Sequence, residues 1–194
     1  MKDEDLLAVG KYSCEMEIRP ARVEDAAQIA SIYNYEVLNS TVTLEIDPRT
    51  THQQERWIAR HSGVHQALVA VEDDVIIGYA SLSSYKLRAG YNTTVEDSIY
   101  LHHGHRRMGT GKLLLSRLLD VAAVSGFHTC MARIVVGNIA SIELHKSVGF
   151  QAIGIEKEVG RKNPVRVVCG RASSVREQRT SPVPSHQGEV LGAG

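Results

Sequence analysis

A chain of 194 residues with 43% hydrophobic and 23% charged positions suits one domain around one core, and it excludes wholesale disorder. Lys plus Arg total 22 and Asp plus Glu total 22, so no net field draws in a polyanion and nucleic acid is excluded as the main partner. No apolar run approaches the roughly 18–20 residues that cross a bilayer, and the acidic start lacks the basic flank of an export signal. A cytoplasmic protein with no membrane partner is the expectation. The three cysteines, Cys14, Cys130 and Cys169, are odd in number and widely spaced, which fits reduced thiols.

Residues 1–16 carry no sustained pattern and read as an N-terminal extension. Residues 17–22 form a short strand and turn. A helix then follows, with Ala27, Ile29, Ile32, Tyr33 and Val37 recurring in threes and fours, and Glu24 and Asp25 in its first turn to complement the dipole. THQQERWIARH gives a second helix, with Trp57 and Ile58 inward. The next segment, QALVAVEDDVIIGYASLSSY, is a hairpin turning at Glu72, Asp73 and Asp74. In TTVEDSIYLH, Val95, Asp97, Ile99 and Leu101 share one face of a strand, and Glu96, Ser98 and Tyr100 share the other.

A glycine-containing loop leads from there into a long apolar helix, followed by the strand HTCMARIVV. Asn138 caps another helix that Gly149 ends, and FQAIGIEKEVG is a further strand. The domain spans residues 17–170, and the polar, Pro/Gly/Ser-containing stretch 171–194 reads as a disordered tail. This order describes an α/β domain with a mostly antiparallel front half and a strand-helix-strand back half.

The loop Arg106-Arg107-Met108-Gly109-Thr110-Gly111 stands between a strand and a helix. Glycines there let backbone N–H groups approach a ligand, and the helix terminus adds a positive dipole end. A diphosphate fits such a loop, with Arg106, Arg107 and Lys112 adding charge. Neither a P-loop nor a dinucleotide fingerprint is present. By itself the motif also fits a plain strand–helix turn.

Arg106-x-x-Gly109-x-Gly111, followed by Asn138-x-Ala140-x(3)-Leu144-x(4)-Gly149-Phe150, resembles the GNAT superfamily of N-acetyltransferases. Ile18-Arg19-Pro20-Ala21, Ile32-Tyr33-Asn34 with Ser40-Thr41-Val42, Lys86-x-Arg88-x-x-Tyr91 and residues 94–101 are most similar to its phosphinothricin and methionine sulfone acetyltransferases. The resemblance covers about residues 17–162. It implies a mixed, mostly antiparallel central sheet flanked by helices, with two central strands splayed apart. It also implies acetyl-CoA as cosubstrate, a small-molecule amine as acceptor and no metal; homodimers are common among the look-alikes.

By the same resemblance, Arg106, Arg107, Met108, Gly109, Thr110, Gly111 and Lys112 hold the CoA diphosphate. Ile99, Tyr100 and Leu101 line the pantetheine arm, joined by Asn138 and Ser141. Glu96 is the expected general base, or a substrate binder, and His145 the acid for the departing thiolate. Tyr35, Arg88 and Tyr91 join Glu96 around the acceptor, Arg88 suiting a carboxylate. Simpler roles stay open: a solvated strand position for Glu96, helix packing for His145 and Tyr35, a helix cap for Asn138, and a solvated loop for Arg88.

His102, His103 and His105 fit a solvated or CoA-adjacent loop better than a zinc site. The look-alikes continue beyond Gly160-x-Lys162 with an aromatic, a glycine and Trp-x-Asp, which are absent here. Residues 165–169 are long enough for a short strand, and loss of a full closing strand would expose a sheet edge. The alternatives are therefore a CoA-binding module with weak or no turnover and an acetyltransferase that acts on another amine.

Overall fold

The computed structural model describes residues 16–162 and 165–175, so the extension up to residue 15 and the tail from 176 lie outside the described residues. Strand β1 (Glu17–Pro20) leads through a 3-10 turn to α1 (Ala26–Asn39) and α2 (Thr51–Arg60). Next come β2 (Ala67–Glu72), β3 (Val75–Ser84) and β4 (Thr94–Leu101). The back half is α3 (Thr110–Val124), β5 (Thr129–Val135), α4 (Ile139–Ser147), β6 (Gln151–Lys162) and β7 (Val165–Val175).

The local signals act where expected. Asp73 and Asp74 both take positive φ (47° and 62°), which lets a two-residue turn follow the right-handed twist of the β2–β3 hairpin. Thr50, which the sequence reading did not single out, caps α2 through a reciprocal pair with Gln53, each side chain bonding the other residue's backbone N–H. Asn138 Oδ1 accepts from the Ser141 amide, and Gly149 (φ 98°) takes the left-handed position after α4.

Two local expectations change. Ala26 rather than Ala27 faces the core in α1. Asp25 is held by Arg19 in a two-pronged pair (2.7 and 2.9 Å) and by the Arg22 amide, joining the helix to β1 instead of merely complementing its dipole.

The strands form one seven-stranded sheet in the order β1-β2-β3-β4-β5-β7-β6. Every neighbouring pair is antiparallel except β4 and β5, which are parallel. The sequence underestimates the end of the chain. The expected stub at residues 165–169 is an eleven-residue strand, and it reaches Val175, five residues into the stretch expected to be disordered. β7 fills the place between β5 and β6, pairing along β5 from Thr129↔Val175 to Val135↔Cys169. The anticipated loss of a closing strand therefore does not occur, and β5 is covered on that side.

A core lies on each face of the sheet. On one, Leu114, Leu115, Leu118 and Leu119 of α3 meet Leu68, Leu82, Val95, Cys130 and Phe150. Each fully buried leucine contributes about 1.5–3 kcal/mol. On the other, Ile29, Ile32, Tyr33 and Val37 of α1 and Ile58 of α2 pack on Val69, Ile76 and Tyr79. Among the described residues no helix is long and apolar enough to cross a membrane.

Gly78 of β3 lies opposite Leu101, and a Cβ there would come 2.5 Å from Leu101 Cδ2 and 3.1 Å from the Tyr100 carbonyl oxygen. Gly78→Ala is expected to cost about 1–3 kcal/mol by overpacking. Gly90→Ala, with nothing within 4 Å, is expected to stay within about 0.5 kcal/mol of wild type. Urea unfolding of the two variants checks this contrast, and equal midpoints would contradict it.

Candidate active site

The site begins with a strand pair that stops early. β4 and β5 are in register only at Thr94↔Thr129, Val95↔Cys130 and Glu96↔Met131. β4 continues along β3 as far as Leu101↔Gly78, and β5 continues along β7. From Asp97 to Leu101 the β5-facing edge of β4 has no ladder partner among the described residues. Five residues rising about 3.3 Å each make a wedge about 16 Å long. This is the splay expected from the sequence, and Ile99, Tyr100 and Leu101 lie along it. Ile99 and Leu101 lean on the core under α3, whereas Tyr100 joins the face under α1, stacked 5.4 Å from Tyr79 and edge-on to Tyr33 at 5.1 Å.

The glycine loop lies past the open end of this wedge. Arg107 (φ 64°) and Gly109 (φ 88°) are both left-handed, with Met108 exposed between them. Alternating handedness turns successive N–H groups toward one side, making an anion-binding concavity. Among the described residues none accepts from the amides of Arg107, Met108, Gly109, Thr110 or Gly111; the Gly109 carbonyl instead accepts from Lys112 and Leu113 as α3 begins. A non-glycine residue held at positive φ, as Arg107 is, carries strain of the kind that clusters at ligand sites.

Gly111 has a separate reason to be glycine. A Cβ there would meet Leu101 Cδ1 at 3.2 Å and Leu144 Cδ2 at 3.3 Å, so it lets α3 press against β4 and α4. The loop is electropositive: burial and the neighbouring charges of His103, His105 and Arg106 lower the His102 pKa.

Arg106 departs from its expected part. Its guanidinium is ion-paired to Glu36, a buried carboxylate on α1, and so ties the loop to the helix instead of standing free for a diphosphate. Glu36 escaped the sequence reading, although a charge within the apolar stripe that includes Ile29, Ile32, Tyr33 and Val37 signals a buried partner. Asn138 and Ser141 act within α4, the first as cap and the second as its amide partner.

Glu96 sits at the closed apex of the wedge, half-buried on the α1–α2 face. Its Oε1 accepts from Arg133 Nε of β5 at 2.7 Å, a partner that the sequence did not suggest. Asp97, next in the chain, points to the opposite face and meets His145. His145 Nε2 lies 3.0 Å from Asp97 Oδ2, and its Nδ1 lies 2.7 Å from the Ser141 carbonyl oxygen. The two side chains are 4% and 1% exposed, so the pair is sealed from bulk water. Burial alone would lower the His145 pKa, but the hydrogen bond and charge of Asp97, with the Ser141 carbonyl, outweigh it and raise the value.

The residues expected around the acceptor do not converge. Tyr35 stacks on His103 at 4.4 Å, at the opposite end of β4 from Glu96. It lines a shallow 390 Å³ cleft with Asn34, Leu38, His102 and His103. Arg88 is exposed, and Tyr91 sits edge-on to Tyr85 in the β3–β4 connection, with Lys86 Nζ 5.1 Å from the Tyr91 ring. That connection leads into the end of β4 that bears Glu96. A second group lies on the α1–α2 face: Tyr33 Oη is 2.9 Å from Thr43 Oγ1, and buried Lys162 Nζ donates to the Thr43 carbonyl at 3.1 Å. Burial lowers the Lys162 pKa, and Glu36 and Glu45 act against that. Among the described residues no three His, Cys, Asp or Glu side chains converge as metal ligands.

A wedge between parallel strands, leading to an amide nest at a helix start, is the arrangement that the sequence resemblance implied. The family described as acetyltransferase (GNAT) domain matches residues 18–165. The chain belongs to the GNAT acetyltransferase family. It is 34% identical to phosphinothricin N-acetyltransferase of Streptomyces coelicolor, over 77% of this chain and 90% of that protein. It is 38% identical to the L-methionine sulfoximine/L-methionine sulfone acetyltransferase of Salmonella typhimurium, over 76% of this chain and 86% of that protein. A GNAT phosphinothricin acetyltransferase of Sinorhizobium meliloti, solved with acetyl-CoA, superposes with a TM-score of 0.80 at 30% identity, covering 90% of this chain and 96% of that one. The protein is thus a GNAT N-acetyltransferase.

Two expectations follow for this GNAT site. Gly109→Ala puts a Cβ in the left-handed region at a cost of about 1–2 kcal/mol wherever the nest is formed, which favours a relaxed loop that binding must then reverse, so acetyl-CoA affinity is expected to fall by up to about thirtyfold by calorimetry. An unchanged affinity would remove the nest from the binding site. The second concerns pH. A histidine whose folded pKa is raised stabilises fully below its unfolded value of about 6.5, and the contribution is lost as pH rises through the folded value. The gap in urea midpoint between wild type and Asp97→Asn should be widest below about pH 6.5 and narrow as pH rises. A gap that is flat from pH 5 to 9 would contradict the raised value.

Proposed function

We propose that the protein transfers the acetyl group of acetyl-CoA to the primary amine of a small amino-acid-like acceptor of the phosphinothricin, methionine sulfone or methionine sulfoximine kind. The printed activities of the relatives support the acceptor class. The observation that carries the reaction is the position of Glu96, at the apex of a wedge whose other end opens on the amide nest at Gly109. Acetyl-CoA bound with its diphosphate in the nest and its pantetheine along Asp97–Leu101 brings the thioester to that apex. The amides of residues 107–111 and the side chains of Arg107 and Lys112 hold the diphosphate. Arg106 contributes by fixing the loop through Glu36.

The acceptor arrives as an ammonium ion and must lose a proton before its nitrogen can attack. Glu96 takes that proton, directly or through water, while the ammonium replaces the exposed Arg133 guanidinium as its partner. The nitrogen lone pair then adds to the thioester carbonyl. Collapse of the adduct breaks the C–S bond and expels the CoA thiolate, the nitrogen gives up its second proton to water to become the neutral amide, and His145 returns a proton to the sulfur. Arg88 and Tyr91 lie on the connection next to Glu96, where they border the acceptor; Tyr35 has no part at that end of β4. The presence of β7 beside β5 counts against binding without turnover, because that reading rested on a missing closing strand.

The test is CoA release detected with a thiol reagent, across phosphinothricin, methionine sulfone, methionine sulfoximine and ordinary amino acids. Glu96→Gln is expected to lower kcat by about 10²–10⁴ while leaving acetyl-CoA affinity within about twofold. Full turnover by the Gln variant would remove Glu96 as the base. Acetyl-CoA binding without turnover on any amine would overturn the proposed activity.

A further inference from the structure

Arg133 enters the reaction above only as the partner that the acceptor displaces from Glu96, yet it is placed to do more. It stands on β5 two residues beyond Met131, which pairs with Glu96 at the apex. Strand alternation returns it to the face of Met131 and Glu96, while Cys130, Ala132 and Ile134 turn to the core under α3. Its Nε donates to Glu96 Oε1 at 2.7 Å across the start of the wedge. The Glu96 side chain is 16% exposed and that of Arg133 is 55% exposed. The carboxylate is thus the fixed half of the pair, and the guanidinium is the half that can swing aside.

The β3 side of Glu96 presents neutral groups. Ser83 of β3 lies directly opposite Glu96 in the ladder, and its hydroxyl is 3.3 Å from His61 Nε2. The other ring nitrogen of His61 lies 2.8 Å from the Trp57 carbonyl oxygen, which only accepts, so Nδ1 carries a hydrogen. Burial lowers the His61 pKa, and the Trp57 carbonyl only partly offsets it, so the ring is neutral at neutral pH. A cation therefore stands beside Glu96 on the β5 side and a neutral pair on the β3 side.

We propose that Arg133 is a specificity-determining residue: displaced from Glu96 by the acceptor's ammonium, it grips the carboxylate on the adjoining carbon and so selects α-amino acids over plain amines. This rests on the reading of the protein as an acetyltransferase for amino-acid-like amines with Glu96 as base. In an α-amino acid one carbon joins the two charged groups, and the nitrogen lies about 2.5 Å from the carboxylate carbon. A zwitterion of that size meets a carboxylate–guanidinium pair charge for charge, its ammonium on Glu96 and its carboxylate on Arg133. The planar guanidinium fork suits a carboxylate through two parallel N–H groups. The array runs anion, cation, anion, cation, so every charge leaves the exchange with an opposite partner. A plain amine breaks that order, since it displaces Arg133 from Glu96 and offers it nothing in return. Arg88, exposed on the β3–β4 connection, is the competing cation.

The test uses methionine sulfone and its decarboxylated amine, methylsulfonylpropylamine, which differ only in the carboxylate. CoA release is followed for wild type, Arg133→Gln, Arg133→Lys and Arg88→Gln. Wild type should prefer methionine sulfone in kcat/KM by about ten- to hundredfold, the range for a hydrogen bond to a charged group. Arg133→Gln should lose about that factor on methionine sulfone, chiefly through KM, and no more than about threefold on the amine. Arg133→Lys keeps the cation without the fork and should recover part of the loss. Acetyl-CoA affinity by calorimetry should stay within about twofold in each variant, which checks that the fold is intact.

Equal losses on the two acceptors would overturn the proposal, because Arg133 would then act on Glu96 and not on the carboxylate. So would a preference that survives Arg133→Gln and disappears in Arg88→Gln. If wild type turns over neither compound, the proposed activity fails, and calorimetry decides the role of Arg133 separately. Methionine sulfone should then bind the wild-type complex with CoA at least about tenfold tighter than the Arg133→Gln complex, and equal or absent binding overturns that role.

Discussion

Everything at this site depends on β4 and β5 parting after three residue pairs. A parallel pair that continued would satisfy the backbone of both strands and leave no room between them. Because it stops at Glu96, the edge of β4 keeps its hydrogen-bonding groups for a ligand, and unmet backbone groups in a cleft are costly unless something pairs with them. The same parting leaves Glu96 at the apex on the α1–α2 face, while Asp97, one residue on, turns to the other face and is sealed against His145. The wedge holds its shape because each strand is fixed elsewhere, β4 along β3 and β5 along β7.

Charge pairs, sealed at Asp97–His145 and open to solvent at Arg133, mark where the parts of this site are joined. Arg106 with Glu36 connects the glycine loop to α1, Asp97 with His145 connects β4 to α4, and Arg133 with Glu96 spans β5 and β4. Such pairs add little net stability, because desolvating two charges offsets most of their attraction. Removing one partner is nonetheless expensive, so they fix relative positions more than they deepen the energy well. The wedge therefore has defined walls without filling its interior with apolar side chains.

The sequence disclosed the fold and the location of the site more readily than its wiring. Gly109, the alternating faces of β4 and the spacing from Arg106 to Phe150 pointed to the loop, the strand and the helix that carry the site. Asp97 was already assignable to the face of Val95 and Ile99, and a carboxylate there asks for a buried partner. That the partner is His145 was hidden, since the two are 48 positions apart. Tyr35 shows the opposite failure. Analogy placed it near the acceptor, but two residues, about 200° around the helix, decide whether a residue points inward like Tyr33 or faces the histidine loop like Tyr35.

What the chain fixes by itself is whatever acts within a few residues. The Asp73–Asp74 turn, the caps at Thr50 and Asn138, the stop at Gly149 and the two-residue alternation of β4 all depend on neighbours close in sequence. Only the tertiary structure decided that β7 inserts between β5 and β6 and that Arg106 turns to Glu36. The same holds for the meeting of Glu96 with Arg133 and of His145 with Asp97. Those contacts join positions 37, 48 and 70 residues apart, and at such separations strand order and packing, not local preference, determine which charges meet.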